Sequence, residues 1–458
     1  MQIHILDNVE IKDDGQKYAL KDIKAGENVI KYGFPIGHAK QDIKFGEKVS
    51  PENLKSNLQG LTDWTYTPYT EPKNKKCDGT FLGYQRENGD VGIRNDIWII
   101  PTVGCANAAA KTLATKAEVK AYTHPYGCSQ LGDDLKNTQK ILSGLINHPN
   151  AGGVLVLGLG CENNEIHLMK KSLGDYNKKR VRFLILQDCD DEIAKGLEIL
   201  RELKAITDAD KRLHTPISKL RIGVKCGGSD GYSGITANPL VGLVADEFFK
   251  YDAKILMTEM PEAFGAEQIL LERSDNKETF DAAANMLKGF RQYFINHGEG
   301  IADNPSPGNI AGGISTLEEK SLGCVQKAGK VTLRGAVDFG EIPKGKGGLY
   351  LVNGPGNDQV AVTNLAASGA HIILFTTGRG TPLCGPVPTL KIATNTALFN
   401  KKPHWMDFNA GEIINGADKS LLTKGLFDLI IETAEGKKSL GEQNGYEDIA
   451  IFKDGVTL

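Results

Sequence analysis

One pattern recurs along this chain: an apolar run typical of a buried strand opens into a glycine-flanked loop of polar side chains. In residues 151–164, AGGVLVLGLGCENN, the run ends in a loop that presents Cys161, Glu162 and Asn163, and helical periodicity begins at Glu165. Open α/β sheets bind their ligands beyond the carboxyl ends of the strands. The segment therefore predicts a sheet strand followed by one wall of a binding site.

Similar loops follow other strand-like runs, and they carry thiols, carboxylates, an imidazole and a guanidinium. If several of them meet at the carboxyl edges of parallel strands, they form an active site. The loops are HPYGCSQLGDD at 124–134, KCGGSD at 225–230, GC at 323–324 and TGRGT at 377–381.

The order of patterns along the 458 residues predicts several domains, because a chain of this length exceeds one ordinary domain. Short β-type runs come first, then a segment rich in aromatic residues, prolines and lysines, and then strands alternating with helices, which favour parallel sheets. We predict an α/β protein with a small β-rich domain at 1–62, a linker at 63–80 and two α/β domains with largely parallel sheets at 81–217 and 218–458.

Composition argues against several functional classes. The net charge of −3 offers no basic surface for nucleic acid. No apolar run approaches the roughly 20 residues that span a membrane, and the amino terminus lacks the pattern of a secretion signal. Eight cysteines in so long a chain do not make a disulfide scaffold. We expect a cytoplasmic protein without a membrane or nucleic-acid partner.

A nucleotide cofactor is not expected. The loop Gly354–Asp358 follows a strand and opens a helix, but Gln359 stands where a dinucleotide fingerprint needs its third glycine, and no phosphate-binding GxxxxGK[ST] motif occurs. The loop is either an ordinary tight turn or a carboxylate cradle at a helix amino terminus.

The loop at 124–134 holds the strongest catalytic candidates. His124 lies between a strand end and a proline, and Asp133 and Asp134 supply adjacent carboxylates. Imidazole and carboxylate suit both metal binding and general acid–base chemistry. The alternative is that one of the two aspartates caps a helix beginning at Leu135.

Three glycine-loop cysteines, Cys128, Cys161 and Cys226, are candidate iron ligands, although buried free cysteine is often only a small hydrophobe. The chain has no CxxC pair, so the spacing does not support a cluster. Arg379, between glycines, suits bidentate binding of a carboxylate but could also be a surface arginine. Lys391 either neutralises charge or lies at a helix start.

These residues lie within motifs that resemble the altronate dehydratase/galactarate dehydratase family of sugar-acid hydro-lyases along nearly the whole chain. Residues 1–60 are similar to the family's SAF (antifreeze-like) domain. The motifs are GDVGIRNDIWIIPTVGC (89–105), HPYGCSQLGDD (124–134), GLGCENN (158–164), CGGSDGYSGITANP (226–239), PEAFGAEQ (261–268), NPSPGNIAGGISTLEEKSLGCVQKAG (304–329), GPGND (354–358), FTTGRGTPLCGPVPTLKIATN (375–395) and HWMDFNAGEII (404–414).

The resemblance implies an iron(II)- or manganese(II)-dependent dehydration of a small sugar acid. The sequences of the 124–134 and 158–164 motifs are similar to those of the altronate branch of the family. This similarity implies D-altronate as substrate and 2-dehydro-3-deoxy-D-gluconate as product. Galactarate dehydration, sulfolactate sulfo-lyase activity and sugar-acid binding without catalysis remain alternatives. A homo-oligomer is compatible with the family.

The mechanism needs a metal-held carboxylate, a base for the C2 proton and an acid for the departing hydroxyl. We expect His124 to be base or metal ligand, Asp133 and Glu162 to be ligand or acid, and Asp230 to hold hydroxyls. The expected substrate-binding residues are Asn163, Ser229, Asn238, Arg379, Thr381 and Lys391.

The amino-terminal domain departs from the family pattern at two places. Gln16 stands where relatives carry histidine in a GHKxAL element, and Ser50–Asn53 replaces a His-x-His-Asn element. If those histidines bind metal in relatives, His4 is the remaining candidate here, beside Cys128, Cys161 and Cys226.

Overall fold

The computed structural model describes residues 4–71 and 76–458. The predicted linker at 63–80 therefore falls partly outside the described residues, at 72–75. The architecture is a small β-rich domain followed by α/β regions, as the sequence predicts.

The amino-terminal domain consists of two three-stranded antiparallel sheets, ordered β1-β2-β5 and β3-β4-β6. Its strands are too short to bury much surface alone, so the domain depends on its neighbours. They are β1 (Val9–Ile11), β2 (Lys17–Ala19), β3 (Asn28–Lys31), β4 (Phe34–Ala39), β5 (Lys48–Val49) and β6 (Leu54–Lys55).

The second region holds a four-stranded parallel sheet ordered β10-β9-β11-β12, and a small antiparallel sheet ordered β13-β7-β8. Its strands are β7 (Thr80–Gln85), β8 (Val91–Gly92), β9 (Asp96–Pro101), β10 (Lys120–Ala121), β11 (Ala151–Gly158), β12 (Val181–Ile185) and β13 (Leu213–Pro216). Its helices are α1 (Asn107–Ala117), α2 (Gly132–Ile146), α3 (Ile166–Leu173) and α4 (Glu192–Asp208).

The carboxyl-terminal region is built on a seven-stranded, wholly parallel sheet ordered β16-β17-β15-β14-β18-β19-β20. The strands are β14 (Arg221–Cys226), β15 (Lys254–Met257), β16 (Leu333–Val337), β17 (Gly348–Val352), β18 (Ile372–Thr377), β19 (Thr389–Ala393) and β20 (Phe408–Asn409). The helices are α5 (Ala237–Lys250), α6 (Glu267–Leu271), α7 (Lys277–Asn296), α8 (Pro307–Ala311), α9 (Leu317–Cys324), α10 (Asp358–Ala367), α11 (Thr396–Lys401), α12 (Lys419–Ala434) and α13 (Leu440–Asn444).

Strand β11 shows why its sequence is a continuous apolar run. All eight of its residues are buried, because helices cover both faces of a parallel sheet. Val154 and Val156 point into one core, and the alternating Leu155 and Leu157 point into the other.

The two parallel sheets lie side by side with the same polarity. The carboxyl ends of α2 and α10 touch at Gly144 and Ala367, and at the amino edges Asn150 Nδ2 donates to the carbonyl of His371 at 3.1 Å. One core joins both sheets, from Trp98 on β9 to Phe375 on β18. We infer that the carboxyl edges of both sheets open on the same side of the molecule.

A buried ionic group fastens the amino-terminal domain to the rest of the chain. Glu319, in α9, accepts hydrogen bonds from Lys17 at 2.8 Å and from Lys31 at 2.7 Å. All three side chains are almost fully buried. Thr316 adds a hydrogen bond to the carbonyl of Ile36 at 2.6 Å.

The structure corrects two sequence interpretations. Helix α2 begins at Gly132, not at Leu135, and neither Asp133 nor Asp134 caps it. The fully extended Leu131 backbone lets the helix begin earlier. Lys391 lies within β19 rather than at a helix start.

Asp134 instead holds the end of the chain. Its carboxylate accepts the backbone N–H groups of Asp454 at 2.9 Å and Gly455 at 2.8 Å. We expect Asp134→Ala to lower the free energy of unfolding by about 1–3 kcal/mol, because two part-buried hydrogen bonds to a charged acceptor are lost, and to expose the last residues to carboxypeptidase. Asp133→Ala is the matched control, since Asp133 is 88 % exposed and should change stability by less than about 0.5 kcal/mol. Equal urea midpoints for the two variants would contradict this role.

Candidate functional site

The centre of the seven-stranded sheet is a topological switch point. On one side of β14 lie β15, β17 and β16, in that spatial order, and the chain then returns to place β18 against the other side of β14. The crevice between the loops after β14 and β18 is where such sheets bind ligands. The loops 226–230 and 378–381, both singled out in the sequence, meet here.

Two glycines at the end of β14 allow charged side chains to approach from both sides. A Cβ on Gly227 would lie 2.5 Å from a carboxylate oxygen of Asp358, and a Cβ on Gly228 would lie 3.3 Å from the Cβ of Arg379. Gly228 also has φ +60°, which favours glycine. The exposed Arg379 and the half-buried Asp358 therefore flank the turn.

Asp230 lies beneath this turn and is buried. Its carboxylate accepts hydrogen bonds from Thr394 at 2.9 Å, Ser233 at 3.0 Å and Asn395 at 3.0 Å. Burial raises the pKa of Asp230 above its ordinary value, and these hydrogen bonds only partly oppose the effect. A raised pKa favours the protonated carboxyl group, which is the form that acts as a general acid.

Ser229 and Asn238 have different surroundings. Ser229 lines a small gap of about 10 Å³ between the amino-terminal domain and α9, together with Lys31 and Tyr32. Asn238 is satisfied within the protein, because it accepts from Thr376 at 2.6 Å and donates to the carbonyl of Gly323 at 3.0 Å.

Thr381 and Lys391 lie on either side of the next loop. Thr381 is half-buried, and its hydroxyl accepts the backbone N–H of Leu383. Lys391 is buried in β19, with Nζ 3.3 Å from the sulfur of Cys384. The structure thus brings Asp230 and Arg379 together at the crevice and keeps Lys391 inside the sheet.

Four buried side chains next to the switch point could bind a metal ion. Ligand atoms of Cys226, Glu259, Glu262 and Cys324 all lie within 4.8 Å of one another. Only Cys226 was expected from the sequence. Both glutamates lie in or beside the 261–268 motif, but nothing in their spacing identified them, because the loop after β15 brings them to a cysteine more than 30 residues away.

Lysine ammonium groups already neutralise this cluster. Lys327 Nζ lies 2.8 Å from the sulfur of Cys226, 3.0 Å from that of Cys324 and 3.0 Å from Glu259. Burial lowers the pKa of Lys327, but the two thiols and Glu259 outweigh burial and hold the pKa well above its ordinary value. A metal ion bound by all four ligands would have to displace this ammonium group.

The second group of predicted residues lies at the carboxyl edge of the four-stranded sheet. Glu162 accepts hydrogen bonds from Thr102 at 2.7 Å and from the backbone N–H groups of Leu159 and Gly160. Burial raises the pKa of Glu162, but these bonds outweigh it and leave the pKa below its usual range. The carboxylate therefore stays ionised and shapes its own loop.

His124 is buried, and the backbone engages both of its ring nitrogens. Nδ1 accepts from the N–H of Tyr126 at 3.2 Å, so Nε2 carries the proton and donates to the carbonyl of Pro101 at 2.8 Å. Burial lowers the pKa of His124 to about 4. In this geometry neither nitrogen is free to take a proton or bind a metal.

The other members of this group face solvent or their own loops. Asp133 is exposed beside Lys136, Asn163 accepts the N–H of Ser129 at 2.7 Å, and the thiols of Cys128 and Cys161 are exposed.

The predicted residues of the amino-terminal domain lie on two cavities. The exposed His4 lines a cavity of about 690 Å³ that also contacts α5 and the end of the 411–417 turn. Gln16 and Ser50 share another cavity of about 310 Å³ with α8. The two departures from the family pattern therefore occupy one place at the domain interface.

Across residues 4–71 and 76–458, no helix combines the length and the apolar character needed to cross a bilayer.

Three family models match successive parts of the chain. The SAF domain of altronate/galactarate dehydratase matches residues 1–57, the second domain of D-galactarate dehydratase/altronate hydrolase matches 83–208, and the carboxyl-terminal domain of D-galactarate/altronate dehydratase matches 217–457.

Whole-chain relatives agree with these models. An altronate dehydratase of Bacillus subtilis is 49 % identical, covering 98 % of this chain and 94 % of its own. An altronate dehydratase of Escherichia coli is 48 % identical over 97 % of this chain and 92 % of its own. A galactarate dehydratase (L-threo-forming) of Escherichia coli is 31 % identical over 98 % and 91 %.

Proposed function

Because this chain belongs to the altronate and galactarate dehydratase family, we propose that it is a hydro-lyase that converts D-altronate to 2-dehydro-3-deoxy-D-gluconate. The observation that carries the chemistry is the crevice at the switch point, where Arg379 and Asp358 flank the Gly227–Gly228 turn above Asp230. The similarity to altronate dehydratases exceeds that to the galactarate enzyme, and it favours altronate as the substrate.

Dehydration begins at a weakly acidic C–H bond next to a carboxylate. Removing that proton makes a dianion, so positive charge must be placed on the substrate carboxylate. Arg379 is exposed in the crevice, and its planar guanidinium can donate two parallel hydrogen bonds to a carboxylate. We assign substrate-carboxylate binding to Arg379.

Asp358 and Asp230 supply the proton chemistry in this proposal. Asp358 is 37 % exposed, and its carboxylate lies 2.7 Å from the buried Lys225 ammonium. We assign to this carboxylate the acceptance of the C2 proton. Burial raises the pKa of Asp230, and we assign to this carboxyl group the hydrogen bond to the 3-hydroxyl and its protonation as it leaves. His124, Asp133 and Glu162 lie on the loops at the carboxyl edge of the four-stranded sheet, and this proposal gives them no step in the reaction.

The family's iron(II) or manganese(II) would act as a Lewis acid on the substrate oxygens. Cys226, Cys324, Glu259 and Glu262 have suitable donors, and their two thiols favour iron over manganese. The residues Cys226 and Glu259 also position the Gly227–Gly228 turn, since Glu259 accepts the backbone N–H of Cys226 at 3.1 Å.

The test is an anaerobic assay of the purified full chain with D-altronate, galactarate and sulfolactate, each with iron(II) or manganese(II). We expect 2-keto acid from altronate alone. If keto acid forms from galactarate alone, or sulfite forms from sulfolactate, the substrate assignment is wrong but the assignment as a lyase stands. Calorimetric binding of altronate without any product would instead identify a sugar-acid-binding protein and overturn the proposal.

A further inference from the structure

Each of the four strands of the smaller parallel sheet is followed by a loop that carries a cysteine. In the spatial order of the strands β10, β9, β11 and β12, these are Cys128, Cys105, Cys161 and Cys189. The first three are exposed, and Cys189 is half-buried with its sulfur 3.3 Å from the carbonyl of Ile185. Parallel strands bring the thiols to one edge, although they lie 23 and 33 residues apart in sequence.

Hydrogen bonds fasten the three loops to one another. The N–H of Gly104 donates to the carbonyl of Tyr126 at 2.8 Å, and the N–H of Asn164 donates to the carbonyl of Gly127 at 2.9 Å. A Cβ on Gly127 would lie 2.0 Å from the carbonyl oxygen of Thr102. Glycine at 127 therefore lets the loop of Cys128 pack directly against the loop of Cys105.

Buried polar atoms in the same loops lack partners. Gln130 Nε2 and Asn164 Oδ1 belong to side chains at most 2 % exposed, and neither atom has a hydrogen-bond partner in the described structure. Asn107 Oδ1, two residues after Cys105, also lacks a partner, although its side chain is half-buried. Unsatisfied buried polar atoms are rare in folded proteins, and one cause is a ligand that completes the site. Of these atoms, the Gln130 Nε2 donor is the one that can donate to an anionic ligand.

We propose that Cys105, Cys128 and Cys161 bind a [4Fe–4S] cluster through three thiolates. Among the described residues these sulfurs do not form a group within 4.8 Å of one another, so they do not make a preformed single-ion site. A polynuclear cluster holds its cysteine ligands farther apart than one ion does. Iron–sulfur sites often have CxxC spacing in sequence. Here the adjacent parallel strands, and not close spacing in sequence, bring the three cysteines to one edge.

The local electrostatics suit an anionic cluster. Helices α1, α2 and α3 each begin within five residues of one of the three cysteines. Their amino termini carry partial positive charge and unpaired N–H groups, which favour negative charge nearby. The sulfur of Cys161 has the neutral Gln187 amide as a partner at 3.6 Å.

Three protein ligands leave one iron of the cluster without a protein ligand. Such an iron could supply Lewis-acid chemistry if the cluster were bound by these three thiolates. The edge opens on the same side of the molecule as the switch-point crevice. The cluster site is independent of the substrate proposed above, and it predicts iron with sulfide rather than iron alone.

The experiment is anaerobic purification of the full chain after cluster reconstitution with iron(II) and sulfide. We expect about four acid-labile sulfides per chain and about four iron atoms beyond any ion bound by Cys226, Cys324, Glu259 and Glu262. We also expect broad visible absorption and an electron paramagnetic resonance signal after reduction. Cys105→Ser, Cys128→Ser and Cys161→Ser should each reduce bound sulfide to less than about one per chain, with an unchanged circular dichroism spectrum because the side chains are exposed.

Cys189→Ser is the matched control on the same edge, and Cys226→Ser is the control for the buried cluster; both should keep the sulfide. One iron or zinc without sulfide, a disulfide between the three cysteines under anaerobic conditions, or loss of the cluster in Cys226→Ser would overturn the inference. A cluster in a protein that turns over no sugar acid would reject only the proposed function.

Discussion

Glu319→Gln should lower the free energy of unfolding by about 3–5 kcal/mol, because it leaves two buried ammonium groups without their counter-charge. Lys17 and Lys31 both depend on this carboxylate, and they are 0 % and 5 % exposed. Because both lysines belong to the amino-terminal domain, we expect that domain to separate first. Proteolysis in the segment after Leu58 should accelerate before the two parallel sheets unfold.

The measurements are urea unfolding and limited proteolysis of the variant and the parent. Glu432→Gln is the control, since its ion pair with Lys437 leaves both side chains 56 % exposed and should contribute less than about 1 kcal/mol. If Glu319→Gln and Glu432→Gln unfold at the same urea concentration, the buried group does not hold the domain.

The same carboxylate gives a pH dependence. Burial raises the pKa of Glu319, but Lys17 and Lys31 outweigh burial and lower it to about 2, against about 4.3 in an unfolded chain. A carboxyl whose pKa is lower in the folded state stabilises the protein above the unfolded pKa. That contribution, about 3 kcal/mol, is lost as the pH falls from about 4.3 to 2, where the parent and Glu319→Gln should converge.

Arg379→Ala should lower kcat/KM for the substrate about 100- to 1,000-fold, which is the usual effect of removing one donor that stabilises developing negative charge. Arg379→Lys should recover little of this loss, because an ammonium group cannot make the paired hydrogen bonds of a guanidinium. Stability should not change, since the side chain is exposed.

Steady-state kinetics with the best substrate of the anaerobic assay tests this prediction. Arg201→Ala removes an exposed arginine from α4, far from the crevice, and should leave kcat/KM within about twofold. Unchanged kinetics in Arg379→Ala would remove this arginine from substrate binding and make it the surface residue that the sequence alone also allowed.

The fold was predictable because strands that are buried on both faces of a sheet have continuous apolar sequences. Strand β11 reads as an unbroken apolar run for this reason, and its polar loop follows at the carboxyl end as expected. The loops at 226–230 and 378–381 were found in the same way. The prediction that Arg379 and Asp230 lie close together needed only the knowledge that parallel strands end at one edge.

Other features depend on contacts between distant segments, and no local pattern records them. Lys31 and Glu319 meet across 288 residues, and Lys327 enters the centre of a cluster whose cysteine was read as a metal ligand. The sequence predicted a catalytic or metal-binding role for His124, which precedes a proline. In the structure, the carbonyl of Pro101 and the N–H of Tyr126 form hydrogen bonds with its two ring nitrogens.

The attachment of the carboxyl end has a practical consequence for protein engineering. The N–H of Leu458 donates to the carbonyl of Ser129 at 3.0 Å, so the last residue lies beside the neighbour of Cys128. An affinity tag fused after Leu458 would start there, and a polyhistidine tag would bring imidazoles to the thiols. Metal content should therefore be measured on protein purified without a carboxyl-terminal tag.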